Sequence, residues 1–288
     1  MNQSVIFDVK NLYCKYKNKS FAALRIDSLQ IKKGEITFFI GTSGSGKSTI
    51  LESMGLMNNT LDYKEGSVLQ FCPNDVKIDF FELWNRSEQE ISMFRRDYFN
   101  FIFQSENLFS SLSGIQNVMI PSILAGSDSE QAFSQSIKIL KRVLPELNLD
   151  RNKNINIKEI SGGQRQRLSF GRAVISDFSV LFADEPTGNL DCSSAQNVMD
   201  MLSDQIVTKQ STAIIVSHDI DLALKYADKI IFIDRELIKD KDGLDVSRGC
   251  ITKDSTFLRD KKQWISEDSK KKMKDEEFKI YLEQKFIY

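Results

Sequence analysis

Nine consecutive residues constrain this chain more than any others: Gly41-Thr42-Ser43-Gly44-Ser45-Gly46-Lys47-Ser48-Thr49. They satisfy the pattern G-x-x-x-x-G-K-[ST], between a strand-like run, Ile36–Ile40, and an apolar helical segment. The glycines let backbone N–H groups curl around phosphate oxygens with no Cβ in the way, and the helix start adds partial positive charge. Lys47 is placed to reach β- and γ-phosphates, and the Ser48 hydroxyl to hold Mg²⁺. A strand turning through glycines into a helix also points to an α/β core.

The rest of the chain supports that core. Ile36–Ile40, Val180–Ala183, Ala213–Val216 and Ile230–Ile233 are short, continuously apolar and β-rich, as expected of strands covered on both faces of a parallel sheet. A helical pattern at Asp221–Ala227 between the last two completes a βαβ unit. The N-terminal stretch to about Ile31 alternates apolar and polar residues and predicts antiparallel strands. Residues 105–176 show helical periodicity (Ile137, Leu140, Val143, Leu144), which predicts a helical subdomain inserted in the core. The expected organisation is one domain over 1–240 and an extension over 241–288. In the extension, mixed charges over 259–277 predict a linker. Phe278, Tyr281, Leu282 and Phe286 then predict an amphipathic helix, docked on its own domain or on a partner.

Two further clusters carry chemistry. The run Val180-Leu181-Phe182-Ala183 ends in Asp184-Glu185, and carboxylates at the end of a buried strand ask for a cation. Beside a phosphate loop, Asp184 is placed to support Mg²⁺ and Glu185 to act as general base on the attacking water. The single histidine, His218, follows the strand Ala213–Val216. Ligands of parallel sheets bind at such strand ends, so His218 is a candidate γ-phosphate contact. Taken alone, the acidic pair reads as a surface strand end and the histidine as structural. In Ser161-Gly162-Gly163-Gln164, Ser161 and Gln164 form a capping box, yet paired glycines are a poor first helical turn unless backbone must approach something closely. A second anion-facing helix start suggests two chains, each completing the other's site.

Composition narrows the options. The 288 residues carry 39 basic and 40 acidic side chains, a balance with no push toward nucleic acid. Cys14, Cys72, Cys192 and Cys250 lie far apart, which argues against a zinc site or a disulfide framework. The first residues lack a secretion signal, and no stretch approaches the roughly 18–20 apolar residues of a membrane span.

These motifs, in this order, resemble the ATP-binding cassette family over residues 5–236. The resemblance makes Gly41–Thr49 the Walker A loop, Asp184-Glu185 the end of Walker B, Ser161–Gln164 the signature motif and His218 the switch histidine. It also supplies roles that the residues alone do not. Gln104, in Phe101-Ile102-Phe103-Gln104, becomes the Q-loop residue beside Mg²⁺, and Asn189-Leu190-Asp191 the D-loop. Tyr16 becomes the aromatic that stacks on adenine, ahead of Tyr13. The fold implied is a P-loop NTPase core with a mostly parallel sheet, an N-terminal antiparallel β subdomain and an inserted α-helical subdomain. The activity implied is hydrolysis of ATP with Mg²⁺, by Glu185 with His218 and Gln104. Two copies would meet head to tail as a homodimer, with Asp191 at the same seam. The partner implied is an integral-membrane permease, and not nucleic acid. The chain would then be cytoplasmic and peripheral on the inner face of the cell membrane. Within the family, Glu185-Pro186-Thr187-Gly188-Asn189-Leu190-Asp191 is most similar to lipoprotein-releasing and macrolide-exporting cassettes. The competing reading is a regulatory cassette that signals through a membrane partner without moving cargo. The segment between Gly66 and Arg95 is longer than the family's pattern, and the tail beyond 240 departs from it.

Overall fold

The computed structural model describes residues 4–147, 149 and 155–287. Residues 148 and 150–154 of the expected helical stretch lie outside them. In chain order the elements are β1 (Val5–Cys14), β2 (Leu24–Lys32), β3 (Ile36–Ile40), α1 (Lys47–Met54), β4 (Leu61–Asp62), β5 (Val68–Phe71), β6 (Ile78–Asp79), α2 (Phe80–Leu83) and α3 (Glu88–Tyr98). Then come β7 (Phe99–Ile102), α4 (Gly114–Leu124), α5 (Ser129–Val143), α6 (Gly162–Val174), β8 (Val180–Asp184) and α7 (Cys192–Lys209). From residue 212 onward follow β9 (Thr212–Val216), α8 (Ile220–Tyr226), β10 (Lys229–Phe232), β11 (Asp234–Lys239), β12 (Asp245–Ile251), β13 (Thr256–Asp260), β14 (Gln263–Ser266), β15 (Lys272–Lys274) and α9 (Asp275–Ile287). The chain forms two compact units: one runs to Arg95 and resumes at Thr212, and the other spans Arg96–Ser211.

The first unit contains two sheets. One runs β11-β12-β2-β1-β5-β6, with β4 also on β1; β1 and β2 are antiparallel, as the alternating pattern predicts. The other places β10, β3 and β9 side by side and parallel, and β13, β14 and β15 extend it antiparallel from β10. Every residue of β3, β9 and β10 is buried, which is why these strands read as unbroken apolar runs. β10 nevertheless starts one residue before its apolar run, at Lys229. That ammonium is tolerated in the core because it pairs with Glu35 at 3.1 Å and donates to the Gln30 carbonyl, while Glu35 accepts from Thr37 at 2.8 Å.

The long segment after Gly66 belongs to this unit's core. Phe71 and Phe80 pack on Phe7, and Phe94 packs on both of them, with ring centroids 5.1 Å apart for Phe7–Phe71 and 5.9 Å for Phe71–Phe94. Residues 259–277 are not a linker: they build the end of β13, β14, β15 and the first turn of α9. Trp264 and Met273 are buried there, while the charged residues between them face outward. The helix expected after them is α9, and it docks on its own unit. Phe278 and Leu282 are fully buried, and Phe278 stacks on Trp264 at 5.0 Å. Lys279 pairs with Asp221, and Lys285 with Asp234, each at 2.6 Å.

The second unit holds the parallel pair β7 and β8 together with α4, α5, α6 and α7. No helix among the described residues is long and apolar enough to cross a membrane.

Candidate functional site

In the first unit, α1 grows directly out of the phosphate loop. Its N-cap is Gly46 at φ 101°, a left-handed conformation natural only to glycine, and no side chain caps the helix. The first-turn N–H groups therefore stay available to an anion. Lys47 folds back over the start of the loop, its Nζ donating to Gly41 O at 2.8 Å and Thr42 O at 3.0 Å. Ser45 Oγ is buried and, among the described residues, has no hydrogen-bond partner. An uncapped helix start, a lysine at its first turn and an orphaned hydroxyl fit a phosphate group.

The loop is braced from below by a residue the motifs did not point to. Gly249, in β12, donates to Ala23 O at 3.0 Å and lies so close to Ser45 O that an added Cβ would overlap that oxygen. A glycine inside a strand pattern is the available signal of such close backbone approach.

The other expected residues of this unit are Tyr16, with Tyr13 as its alternative, and His218. Tyr16 donates to or accepts from Thr49 Oγ1 at 3.1 Å, which fixes the ring at the base of α1. Burial pushes its phenol up to about 12, partly offset by the Thr49 hydrogen bond. The ring of Tyr13 is covered by the Arg248 guanidinium at 5.6 Å, and Arg248 is held by Glu236 at 2.8 Å. His218 is exposed just past β9, whose Val216 sits opposite Phe39 of the strand that feeds the phosphate loop.

The second unit holds the remaining candidates. β7 and β8 run in register, Ile102 opposite Ala183, so Gln104 and the pair Asp184-Glu185 leave at the same sheet end. Asp184 closes β8. Glu185 follows at φ 48°, a left-handed conformation that costs a non-glycine residue about 1–3 kcal/mol. α6 starts at Ser161 with the predicted capping box: Ser161 Oγ accepts from Gln164 N at 3.2 Å, and Gln164 Oε1 accepts from Ser161 N at 2.9 Å. The helix start is thus partly capped, leaving the Gly162 and Gly163 N–H groups outside the box. Gly163 lies against the D-loop, where a Cβ would meet Leu190 at 3.5 Å. Asp191 is the N-cap of α7; hydrogen bonds from Ser194, and then from Ser193, hold its carboxyl well below the usual carboxylate range.

Around these lie contacts that no short motif announces. Gln164 donates to Glu146 at 3.1 Å, and Arg167 pairs with the same carboxylate while donating to Ser194 Oγ at 3.0 Å. The loop after Gln104 is pinned by the fully buried Asn117, which accepts from Phe109 N at 2.8 Å and donates to Phe109 O at 3.1 Å and Ser113 O at 3.0 Å. That grip presents Phe109 to solvent, 53% exposed. Among the described residues no cluster of three or more His, Cys, Asp or Glu could hold a metal by itself. The hydroxyl and carboxylate candidates, Ser48 and Asp184, are hard oxygen donors of the kind that bind Mg²⁺ together with substrate phosphates.

The geometry agrees with known proteins. A family model described as ABC transporter matches residues 24–188. The lipoprotein-releasing system ATP-binding protein LolD of Ehrlichia chaffeensis is 33% identical over 237 residues, 82% of this chain and 94% of the relative. The macrolide export ATP-binding/permease protein MacB of Neisseria meningitidis serogroup B is 35% identical over 235 residues, 79% of this chain; the matched region spans only 34% of MacB. A dimeric structure of the bacterial ABC transporter cassette MJ0796 superposes with a TM-score of 0.66 at 29% identity, covering 78% of this chain and 93% of that one. A post-hydrolysis dimer of the same cassette, bound to ADP and Pi, gives 0.66 at 28%, covering 84% and 98%. The phosphate loop, the acidic strand end and the signature helix thus sit in a chain that belongs to the ABC transporter family, as one of its ATPase cassettes.

Proposed function

We propose that this cassette is the ATP-driven half of a transporter whose permease is a separate chain, that two copies close head to tail on ATP, and that the cargo is exported. The observation that carries the nucleotide part is the uncapped helix start at Gly46 with Lys47 arched over its loop. Lys47 and the loop N–H groups bind the β- and γ-phosphates, and Tyr16 stacks on adenine. Bound Mg²⁺, held by Ser48 and Asp184 with Gln104, would neutralise phosphate charge. Glu185 takes a proton from the attacking water, and His218 contacts the γ-phosphate. The Gly162 and Gly163 N–H groups, with Asp191 beside them, meet the γ-phosphate bound by the partner copy. An isologous pair of this kind makes two equivalent sites.

Export, and a permease at the inner face of a cell membrane, are supported by likeness to the lipoprotein-releasing and macrolide-export proteins. Phe109, exposed on a loop pinned just beyond Gln104, is the residue we assign to the permease contact. The test is single-turnover hydrolysis by Glu185→Gln. The rate should fall on the order of 10²–10⁴-fold with ATP binding retained. Hydrolysis at the native rate would show that Glu185 is not the base.

A further inference from the structure

Gln166 lies in the second turn of α6, facing inward and 2% exposed. A buried amide must use both ends, and this one uses them on a single backbone segment. Its Nε2 donates to Pro186 O at 2.7 Å and, at 3.3 Å, to Glu185 O. Its Oε1 accepts from Asn189 N at 3.1 Å. The segment so gripped begins with Glu185 in its left-handed conformation and ends at the D-loop. Such conformations persist only where their surroundings over-determine them. The segment makes turn contacts of its own, Gly188 N to Glu185 O at 3.2 Å and Leu190 N to Thr187 O at 3.0 Å, and the amide ties both of its ends to α6.

Gln166 also sits two residues after Gln164 of the signature loop. One residue further, Arg167 ties α6 to Glu146 and to Ser194 at the start of α7. The first two turns of α6 therefore hold the signature loop, the backbone of Glu185 and the start of α7 as one piece. We infer that Gln166 is a positioning residue for hydrolysis: it sets where the Glu185 carboxylate points and ties that direction to the signature loop on the same helix. The inference rests on Glu185 being the general base, as proposed above.

The test uses the full chain, with Glu185→Gln measured in parallel. Gln166→Met keeps the side chain's length and removes its hydrogen bonds. Misplacing a reacting group by about an ångström costs up to about 10²-fold, so single-turnover hydrolysis should fall about 10–100-fold. The Kd for fluorescent ATP should stay unchanged. Gln166→Glu keeps an acceptor for Asn189 N but, when ionised, has no proton for Pro186 O. Its activity relative to the native chain should rise as pH falls and the buried carboxyl regains a proton to donate. The charged residues beside it on α6, Arg165 and Arg167, are already partnered by Glu106 and Glu146.

A native rate in Gln166→Met overturns the inference while a slow Glu185→Gln leaves the base assignment standing. A native rate in Glu185→Gln overturns both. A loss of ATP affinity in step with rate assigns Gln166 to packing instead, as does a flat pH ratio in Gln166→Glu. That ratio decides alone if Gln166→Met does not fold.

Discussion

Two of the helices that start beside glycines, α1 and α6, start differently. α1 begins at Gly46 with no side-chain cap, and Lys47 stands at its first residue. α6 begins at Ser161 with a complete capping box, and its first turn carries no cation closer than Arg165. The macrodipole is the same at both ends, so the difference lies in how many donors are already used and what charge stands beside them. The first is a cradle that can hold a phosphate unaided. The second has answered part of its own hydrogen-bond demand and keeps two glycine N–H groups, a contact suited to a phosphate already held elsewhere. On the function proposed above, similar sequence signatures give one binding site and one completing surface.

The largest expected contrast comes from Lys47→Ala and Gly163→Asp. A hydrogen bond to a charged group contributes about 1.5–3 kcal/mol, so Lys47→Ala should weaken ATP binding about 10–100-fold in a fluorescent-nucleotide titration. Gly163→Asp should leave that affinity intact while abolishing ATP-dependent self-association, because it sets a negative charge against the partner's γ-phosphate. Equal loss of monomer ATP affinity in both would erase the distinction between the two loops.

Gly249→Ala sharpens the same contrast from underneath. The added methyl overlaps Ser45 O, and overpacking of this kind costs about 1–3 kcal/mol. A lowered Tm together with weakened ATP binding is expected, while the signature loop, in the other unit, stays unaffected. Native ATP affinity would show that the loop does not depend on this brace.

The smallest effect concerns Tyr16. Its phenol ionises near 12 when folded and near 10 when unfolded, so its contribution is intact below the unfolded value. It is lost as pH climbs toward the folded one, because the unfolded chain gives up the proton first. Tyr16→Phe should therefore show a shallower decline of the urea midpoint between about pH 10 and 12. Parallel declines would mean that the phenol is not shielded.

What could be read in advance divides along a physical line. The core strands were legible to within a residue or two because burial on both faces leaves an unmistakable apolar run. The phosphate loop, Asp184-Glu185 and Ser161–Gln164 were legible because their chemistry depends on immediate neighbours. Lys229 in β10 was not, since a lysine reads as exposed until its partner Glu35 is brought beside it. The strands over 256–274 were hidden because their outward residues are charged and only a few, such as Trp264 and Met273, mark the buried side. Gln166 was invisible for a third reason: its targets are backbone atoms some twenty residues away, and a backbone carbonyl leaves no letter in the sequence. Asp191 was expected at a seam between chains, and its carboxylate is also engaged at home as the cap of α7.

The central claim is that the phosphate loop of one chain and the signature loop of another complete a single site. Sedimentation velocity of Glu185→Gln tests it most directly, run with Mg-ATP, with Mg-ADP and without nucleotide at tens of micromolar protein. The account predicts a dimer with Mg-ATP and a monomer in the other two. A monomer under all three conditions, with ATP binding shown separately, would contradict it.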